Sequence, residues 1–528
     1  MPVRVLIRPR EYHDSVRLMQ LSERVRREDG VDEAILMMAT DNNKKILLAS
    51  GIEASSINAA RADDLVVCVV ANTALAADAA IALATEQLVK RASGAGTTHA
   101  PRTLDSALAM TPTANMAIVS VPGQYATREA RRALEKGLHV LLFSDNVGLD
   151  DELALKQLAR EKGLLLMGPD CGTAILNGVG LGFANAVRRG HVGIVGASGT
   201  GIQEISVLLH RMGLGVSQAI GTGGRDLKEA IGGITMLMGL RLLVADPATE
   251  VIILTSKPPA REVAQAMLAI AAKADKPVLV NFLGAQEEDF GGLFASQKQV
   301  QFAPTLEKTA LLAASFFPAT QSLALMTESD IERWAAAFSA RLQPGQRYVR
   351  GLYAGGTLCF ETLLHLQQEL GRVYSNIAVD ADSGLDNLAR SRGNTLLDMG
   401  EDAFTIGRAH PMIDPTLRMQ RILQEAADPA VALLLLDLVL GFGAHADPAT
   451  LLVETLREAR KRAADEGRYL PVIVSVCGTE ADAQILSKQI SILHDADILV
   501  AESNAEAARL SAAVILAANS KGSVASDG

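Results

Sequence analysis

The segment 193–213, GIVGASGTGIQEISVLLHRMG, runs from a buried-strand pattern through a loop of small residues into a helix. The first N–H groups of such a helix have no intrahelical acceptor, and its aligned peptide dipoles add partial positive charge there, so the loop attracts an anion, phosphate above all. Gly196, Gly199 and Gly201 let the backbone come close, Ser198 and Thr200 offer hydroxyls, and Glu204 follows one turn in. Without a ligand the same residues make an ordinary strand-to-helix turn with a Ser or Thr cap, and local sequence leaves both open. A second loop of this kind, Tyr353-Ala354-Gly355-Gly356-Thr357, also joins a strand to a helix, so two helix starts could point at one site. The similar loop GTGGRD, 221–226, ends in Asp226, which argues for a backbone turn beside a site rather than an anion contact.

Nine histidines are present, and their settings differ. His410 in IGRAHPMIDP and His445 in GFGAHADP lie in polar loops, whereas His139 and His191 begin strands and His210 and His365 lie on helices. Loop histidines are the better candidates for chemistry, and His410 is the candidate acid/base, although a capping or surface role is the commoner one. No HExxH, GxSxG or Walker A sequence occurs, so zinc proteases, α/β-hydrolases and P-loop NTPases find no support. Cys68, Cys171, Cys359 and Cys477 are far apart with no CxxC pair, which points to neither a metal site nor a disulfide framework. Cys171 is read as a buried, inert thiol.

The elements that must position these loops follow from periodicity. Residues 1–95 read as a small N-terminal α+β module: strands Val3–Ile7, Glu33–Met38 and Leu65–Val70, and helices from Asp14 and from Ala74. A Gly/Ser/Thr-rich linker covers 91–103. From 104 to 189 short apolar strands alternate with helices of 10 to 13 residues, the rhythm of βαβ units and a parallel sheet. A second series fills 190–300, the alternation lapses in a connector at 301–345, and a third series fills 346–519 before a tail, 520–528, expected to be disordered. The fold class is therefore α/β, with several doubly wound parallel-sheet domains of Rossmann-like and flavodoxin-like type behind the N-terminal module.

Composition sets the outer bounds. With 528 residues, 49% hydrophobic and 21% charged, the chain has room for three or four domains. A net charge of −10 with no basic stripe argues against nucleic acid as a partner. The apolar stretches are far shorter than the roughly 20 residues of a membrane helix, and the N-terminus lacks a signal peptide's apolar core, so a cytoplasmic protein without membrane contact is expected.

Several stretches resemble one family. MAIVSVPGQYATREARRALEKGLHVLLFSDNVG with KGLLLMGPDCGTAIL resembles the CoA-binding domain of the succinyl-CoA synthetase α subunit, and GIVGASGTGIQE, GTGGRD, DPATEVIILTSK and KPVLVNFLG resemble its second, ligase domain in the same order. GLYAGGT, LLDMGEDA, LLLLDLVLGFGAHADP, PVIVSVCGTEADA and ADILVAESNAEAA resemble the carboxyl domain of the β subunit. Together they cover about three-quarters of the chain, and their fusion behind an N-terminal extension resembles the FdrA family of acyl-CoA-synthetase-like proteins. The resemblance implies phosphate-binding roles for Ser198, Gly199, Thr200 and Gly201 at the first helix and for Gly355, Gly356 and Thr357 at the second. It also aligns Glu204 with the glutamate that positions a phosphohistidine.

Departures from the pattern shape the functional expectation. The stretch LGAQEEDFGGLFASQKQVQ, where the synthetases carry their active histidine, has none. The connector has no room for an ATP-grasp region, and VLIRPREYHDS stands where a Gly-rich CoA turn would open. Neither CoA nor ATP is therefore expected as a cofactor, and no metal is implied. Within the FdrA family the resemblance implies a subunit of an oxamate carbamoyltransferase, converting oxalurate and phosphate to carbamoyl phosphate and oxamate in allantoin nitrogen use, with His410 assisting as acid/base. Other protein subunits and a homo-oligomer are the expected partners. The alternatives are an acyl-CoA synthetase that borrows a nucleotide-binding partner and a non-catalytic scaffold.

Overall fold

The computed structural model describes residues 2–524 apart from 12, 14, 41–42, 45–46, 48–51, 53–54, 91–100, 102, 291–298 and 406–407. The linker expected at 91–103 thus lies almost wholly outside the described residues. The chain divides into two compact units, one of residues 1–114 with 402–414 and one of 115–401 with 415–528.

In the first unit, Leu65–Ala71 is the central strand of a three-stranded antiparallel sheet, flanked by Val3–Arg8 and Val31–Met38. Its sequence, LVVCVVA, is apolar throughout because both faces are covered. Val67 and Val69 pack with Leu18, Val25, Ala77 and Ala84 from the helices Ser15–Arg26 and Ala74–Lys90, while Val66 and Cys68 pack with Leu47, Ile52 and Ile57.

The second unit holds three sheets. Met116–Val119, His139–Leu142 and Leu166–Met167 form a small parallel sheet in that order. The second sheet has seven strands, ordered Val300–Phe302, Val278–Phe282, Val251–Ser256, Arg189–Gly196, Val216–Gly221, Thr173–Leu176, Val179–Gly182. Its last two strands are an antiparallel hairpin, so this sheet is mixed where an all-parallel one was expected. The signal was present: Asn177-Gly178, both at positive φ, is the dipeptide of a tight hairpin turn. Val300–Phe302 also joins this sheet, so the expected connector begins as an edge strand followed by the helix Leu306–Ala314. The third sheet is fully parallel, ordered Val373–Ser375, Asn394–Asp398, Tyr348–Tyr353, Val431–Val439, Val472–Cys477, Leu499–Ala501. Its strands at 373–375 and 394–398 were expected as irregular chain; each is short, with few apolar residues from which to read a period. The helix Asn504–Val524 runs into the segment expected as a disordered tail, its apolar positions Ala507, Ala508, Leu510, Val514 and Ile515 buried against the third sheet.

Two polar devices set the positions of these layers. The helix Leu149–Glu161 beside the small sheet carries Glu152 and Lys156 one turn apart, both fully buried. Lys156 Nζ donates to Asp226 Oδ1 at 2.6 Å and to the Thr222 carbonyl at 2.9 Å, while Arg225 pairs with Glu152 at 2.9 Å. Asp226 in turn accepts the Thr235 and Met236 N–H groups and so caps the helix Ile234–Ala245. The acid that closes GTGGRD therefore serves a helix start and a buried lysine.

The second device joins the second and third sheets. Arg211 donates to the carbonyls of Val476, Gly478 and Glu502. Asn185 and the Ala186 N–H donate to Asp482, and Asn185 Oδ1 accepts from Gln203. These bonds satisfy buried polar groups on both sides and specify one arrangement of the two sheets.

Lys156→Met removes the cation from a buried cluster and leaves Asp226 and Glu152 without it; the expected cost is about 3–5 kcal/mol. Urea unfolding of the two proteins at pH 7 measures it, and a loss below about 1 kcal/mol would show that the cluster is not what holds this layer.

Candidate functional site

The strand Arg189–Gly196 ends in the loop that opens the helix Gly199–Arg211. Ser198 is the N-cap, in extended backbone, and its Oγ accepts the Gly201 N–H at 3.1 Å. The strand Tyr348–Tyr353 ends likewise in the loop that opens the helix Gly356–Leu370, with Gly355 as N-cap. The two helix starts meet. Ser198 Oγ and Thr357 Oγ1 share a hydrogen bond of 2.7 Å, and the Thr357 N–H donates to Thr200 Oγ1 at 3.2 Å. A Cβ at Gly355 would lie 3.1 Å from Thr200 Cγ2 and 3.0 Å from Asp437 Oδ2, so glycine there permits the approach.

Of the residues singled out in the sequence, Ser198, Gly199, Thr200, Gly201, Gly355, Gly356 and Thr357 all fall at this junction. Glu204 lies further along the first helix. It is buried, its Oε1 accepts the Asn504 N–H at 3.0 Å, and burial pushes its carboxyl up. Its role here is to tie the first helix to the start of the helix Asn504–Val524. His410 belongs to the first compact unit, whereas both glycine loops belong to the second. Its Nδ1 accepts the Met412 N–H at 3.3 Å. The residue is half-buried, and the protein packed around it pushes its titration down to about 4, which leaves it neutral at pH 7. His445 Nδ1 accepts the Asp447 N–H at 3.1 Å, a turn-closing role.

Three residues that sequence reasoning passed over matter as much. Asp437, wholly buried, accepts the Ala354 and Gly355 N–H groups at 2.8 and 2.7 Å and pairs with Arg418 at 2.8 Å. It sits inside the apolar run LLLLDLVL, and a lone acid in a buried strand is the signal that could have marked it. Asn504 donates through Nδ2 to the Leu358 carbonyl at 3.0 Å and to Glu361 Oε2 at 2.7 Å, clamping the second helix as its own N–H clamps the first. Glu361 also accepts the Leu306 N–H at 2.7 Å, and burial pushes its carboxyl up to about 7.

Three helix-and-strand layers with two glycine-loop helix starts set against each other define a succinyl-CoA-synthetase-like protein of the acyl-CoA ligase type. The chain belongs to the FdrA-like family of these proteins. It is 47% identical over 507 residues to the uncharacterized protein YahF of Escherichia coli, covering 96% of this chain and 97% of that one. It is 30% identical over 177 residues to the succinate–CoA ligase [ADP-forming] subunit alpha of Aquifex aeolicus, covering 32% of this chain and 57% of that subunit, little more than half its length. A solved ATP citrate lyase from Methanothrix soehngenii, in complex with citrate and coenzyme A, aligns over 80% of this chain and 86% of its own with 12% identity and a TM-score of 0.33. The family described as CoA-ligase matches residues 352–514, the CoA binding domain matches 187–284, and the AllF heavy metal-associated domain matches 1–103.

These matches overturn the expectation that neither CoA nor ATP takes part in the chemistry: a CoA binding domain and a CoA-ligase family match this chain, and the Aquifex aeolicus relative is an ADP-forming ligase subunit. That expectation looked for a Gly-rich turn after the first strand, whereas the CoA-binding match lies on the second sheet and includes the loop Gly196–Gly201. The heavy-metal description of residues 1–103 does not fit the residues present. Their single cysteine, Cys68, is buried in the central strand with its thiol pushed up to about 11, and no metal-holding group of His, Cys, Asp or Glu occurs among the described residues. Nor is any described helix long and apolar enough to cross a membrane.

Glu361 carries a pH prediction. With its carboxyl near 7 in the folded chain and near the ordinary 4.5 when unfolded, the native state keeps a proton that the unfolded state releases between those values. Its contribution to stability is thus whole below about pH 4.5 and is lost as pH rises to about 7. Urea unfolding between pH 4.5 and 7 is expected to show a downward slope that Glu361→Gln makes shallower; identical slopes would refute it.

Proposed function

We propose that this chain is the acyl-transferring core of an acyl-CoA ligase, moving an acyl group between an acyl phosphate and the thiol of CoA, with the nucleotide handled by a partner chain. The observation that carries the reading is the meeting of the two helix starts. One lies in the segment matched as a CoA binding domain and the other in the segment matched as CoA-ligase, so each matched half contributes one end of a single junction.

The residues there suit a phosphoryl group. Ser198, Thr200 and Thr357 present hydroxyls, and the two helix ends present partial positive charge. CoA, when bound, supplies the thiol, and Ser198 to Gly201 are the residues that would hold its phosphate-bearing end or the acyl phosphate beside it. Ser198 and Thr357 now bond each other, so a phosphoryl group gains their hydroxyls by replacing that bond.

Carbamoyl transfer to phosphate is the second reading, favoured by one feature. No histidine occurs between His210 and His365, the span in which the resemblance to the synthetases places their active histidine.

Thermal unfolding of the chain with CoA, phosphate and carbamoyl phosphate separates the two. A ligand bound only by the native state stabilises it by about 2.7 kcal/mol at a hundred times its dissociation constant. A rise in Tm with CoA, reduced in Ser198→Ala, is the expected result. No response to CoA together with a clear response to carbamoyl phosphate would displace the ligase reading in favour of the second.

A further inference from the structure

The three-stranded sheet of the first compact unit has two outer strands, and their free edges are treated differently. Pairing parity fixes which groups face outward. The Ala71 N–H bonds the Pro2 carbonyl, and the Ala39 N–H bonds the Asp64 carbonyl. Hydrogen-bonded pairs alternate along an antiparallel ladder, so in the observed register Arg4, Leu6 and Arg8 bond the central strand. Val3, Val5 and Ile7 therefore turn their N–H and C=O groups outward. By the same count Leu36 and Met38 face outward on the other edge strand, Val31–Met38. Side chains close that edge: Ser22 Oγ accepts the Leu36 N–H at 2.8 Å, and Asn43 Nδ2 donates to the Met38 carbonyl at 2.8 Å. Among the described residues, the outward groups of Val3, Val5 and Ile7 have no such partner.

The open edge lacks the usual guards. It is six residues long with no proline or bulge inside it, and both its charges are neutralised within the unit, Arg4 by Asp78 at 2.6 Å and Arg8 by Glu11 at 2.6 Å. The helix Ala74–Lys90 reaches this strand through the Arg4–Asp78 pair. One turn before Asp78, on the same helix face, Leu75 is 81% exposed, more than any other large apolar side chain among the described residues.

We propose that the strand Val3–Arg8 pairs antiparallel with the same strand of a second copy of this chain, about a two-fold axis through Val5, with Leu75 adding apolar surface on the helix side of the seam. Only an axis at Val5 engages all three outward residues, for about six main-chain hydrogen bonds. Val3 then stands opposite Ile7 of the second copy, Val5 opposite Val5, and Arg4 opposite Leu6. No like charges meet, and β-branched side chains line one face, so the edge is complementary to itself. The chain's own stretch RASGAGTTHA, 91–100, holds no Val, Ile, Leu or aromatic residue with which to complete the edge instead.

Sedimentation equilibrium of the full chain, from about 1 to about 100 µM, tests the proposal over the range in which weak interfaces dissociate. The expected wild-type mass rises with concentration from 55.7 kDa towards twice that value. Leu75→Glu, at an exposed position, is expected to weaken the association by about tenfold. Val5→Pro removes an N–H that the unit's own sheet does not use, so it is expected to keep the fold and abolish the association. A wild-type chain that stays monomeric at the highest concentration, or an association unchanged in either variant, overturns the proposal. Register is read by oxidation, because hydrogen-bonded antiparallel pairs hold their Cα atoms about 5.5 Å apart, within disulfide reach. The four native cysteines are buried and free. Val5→Cys is expected to give a covalent dimer on a non-reducing gel, and Val3→Cys to do so only when mixed with Ile7→Cys. Absence of the Val5→Cys cross-link overturns the two-fold pairing.

Discussion

Two helix N-termini brought into contact carry partial positive charge of the same sign, and the surroundings of this junction answer that repulsion. Each end is worth roughly half an elementary charge, felt over the first turn. The hydroxyls of Ser198, Thr200 and Thr357 bridge the ends directly. Asp437 then supplies a full negative charge to the loop amides of Ala354 and Gly355, and Arg418 balances that charge from the other side. Removing the Asp437 carboxylate would leave two loop amides without acceptors and the buried Arg418 guanidinium without its counter-charge, held only by the carbonyls of Leu352 and residue 437.

Deeper in the unit, Asn504 serves both helices at once. Its N–H meets Glu204 on the first, and its side chain meets Glu361 and the Leu358 carbonyl on the second. Four buried carboxylates, Glu204, Glu307, Glu361 and Glu506, gather where the C-terminal helix begins. Ser503 donates to Glu307, Arg509 pairs with it, and Glu506 accepts the Met326 and Glu502 N–H groups. A helix start is a favourable place for such charge, so the last helix of the chain draws the two halves together at the level just below the glycine loops.

Much of this was legible in the residues and some was not, for reasons of range. Strand-to-helix alternation and small-residue loops are local signals, and they located both helix starts and the α/β layers. Partners distant in sequence left no local mark: Asn504 reads as an ordinary helix cap, and nothing near Glu204 announces that its partner stands 300 residues on. His410 was drawn by its loop context alone, and its neighbours in the fold, which lower its titration to about 4, were not legible from that loop. The hairpin at 173–182 could have been read from Asn177-Gly178, but a parallel rhythm on either side led past it.

Carrying both glycine loops on one chain changes what the junction costs to assemble. When two loops come from separate chains, their meeting costs translational and rotational entropy at each association, and the site exists only as far as the complex does. Here Arg211 on the carbonyls of Val476, Gly478 and Glu502, and Asp482 on Asn185 and Ala186, hold the second and third sheets together through buried bonds within one compact unit. The 2.7 Å bond between Ser198 and Thr357 then forms at an effective concentration set by the fold rather than by protein concentration. A junction assembled in this way is set by the folding of the chain itself and does not wait on the association of a second one.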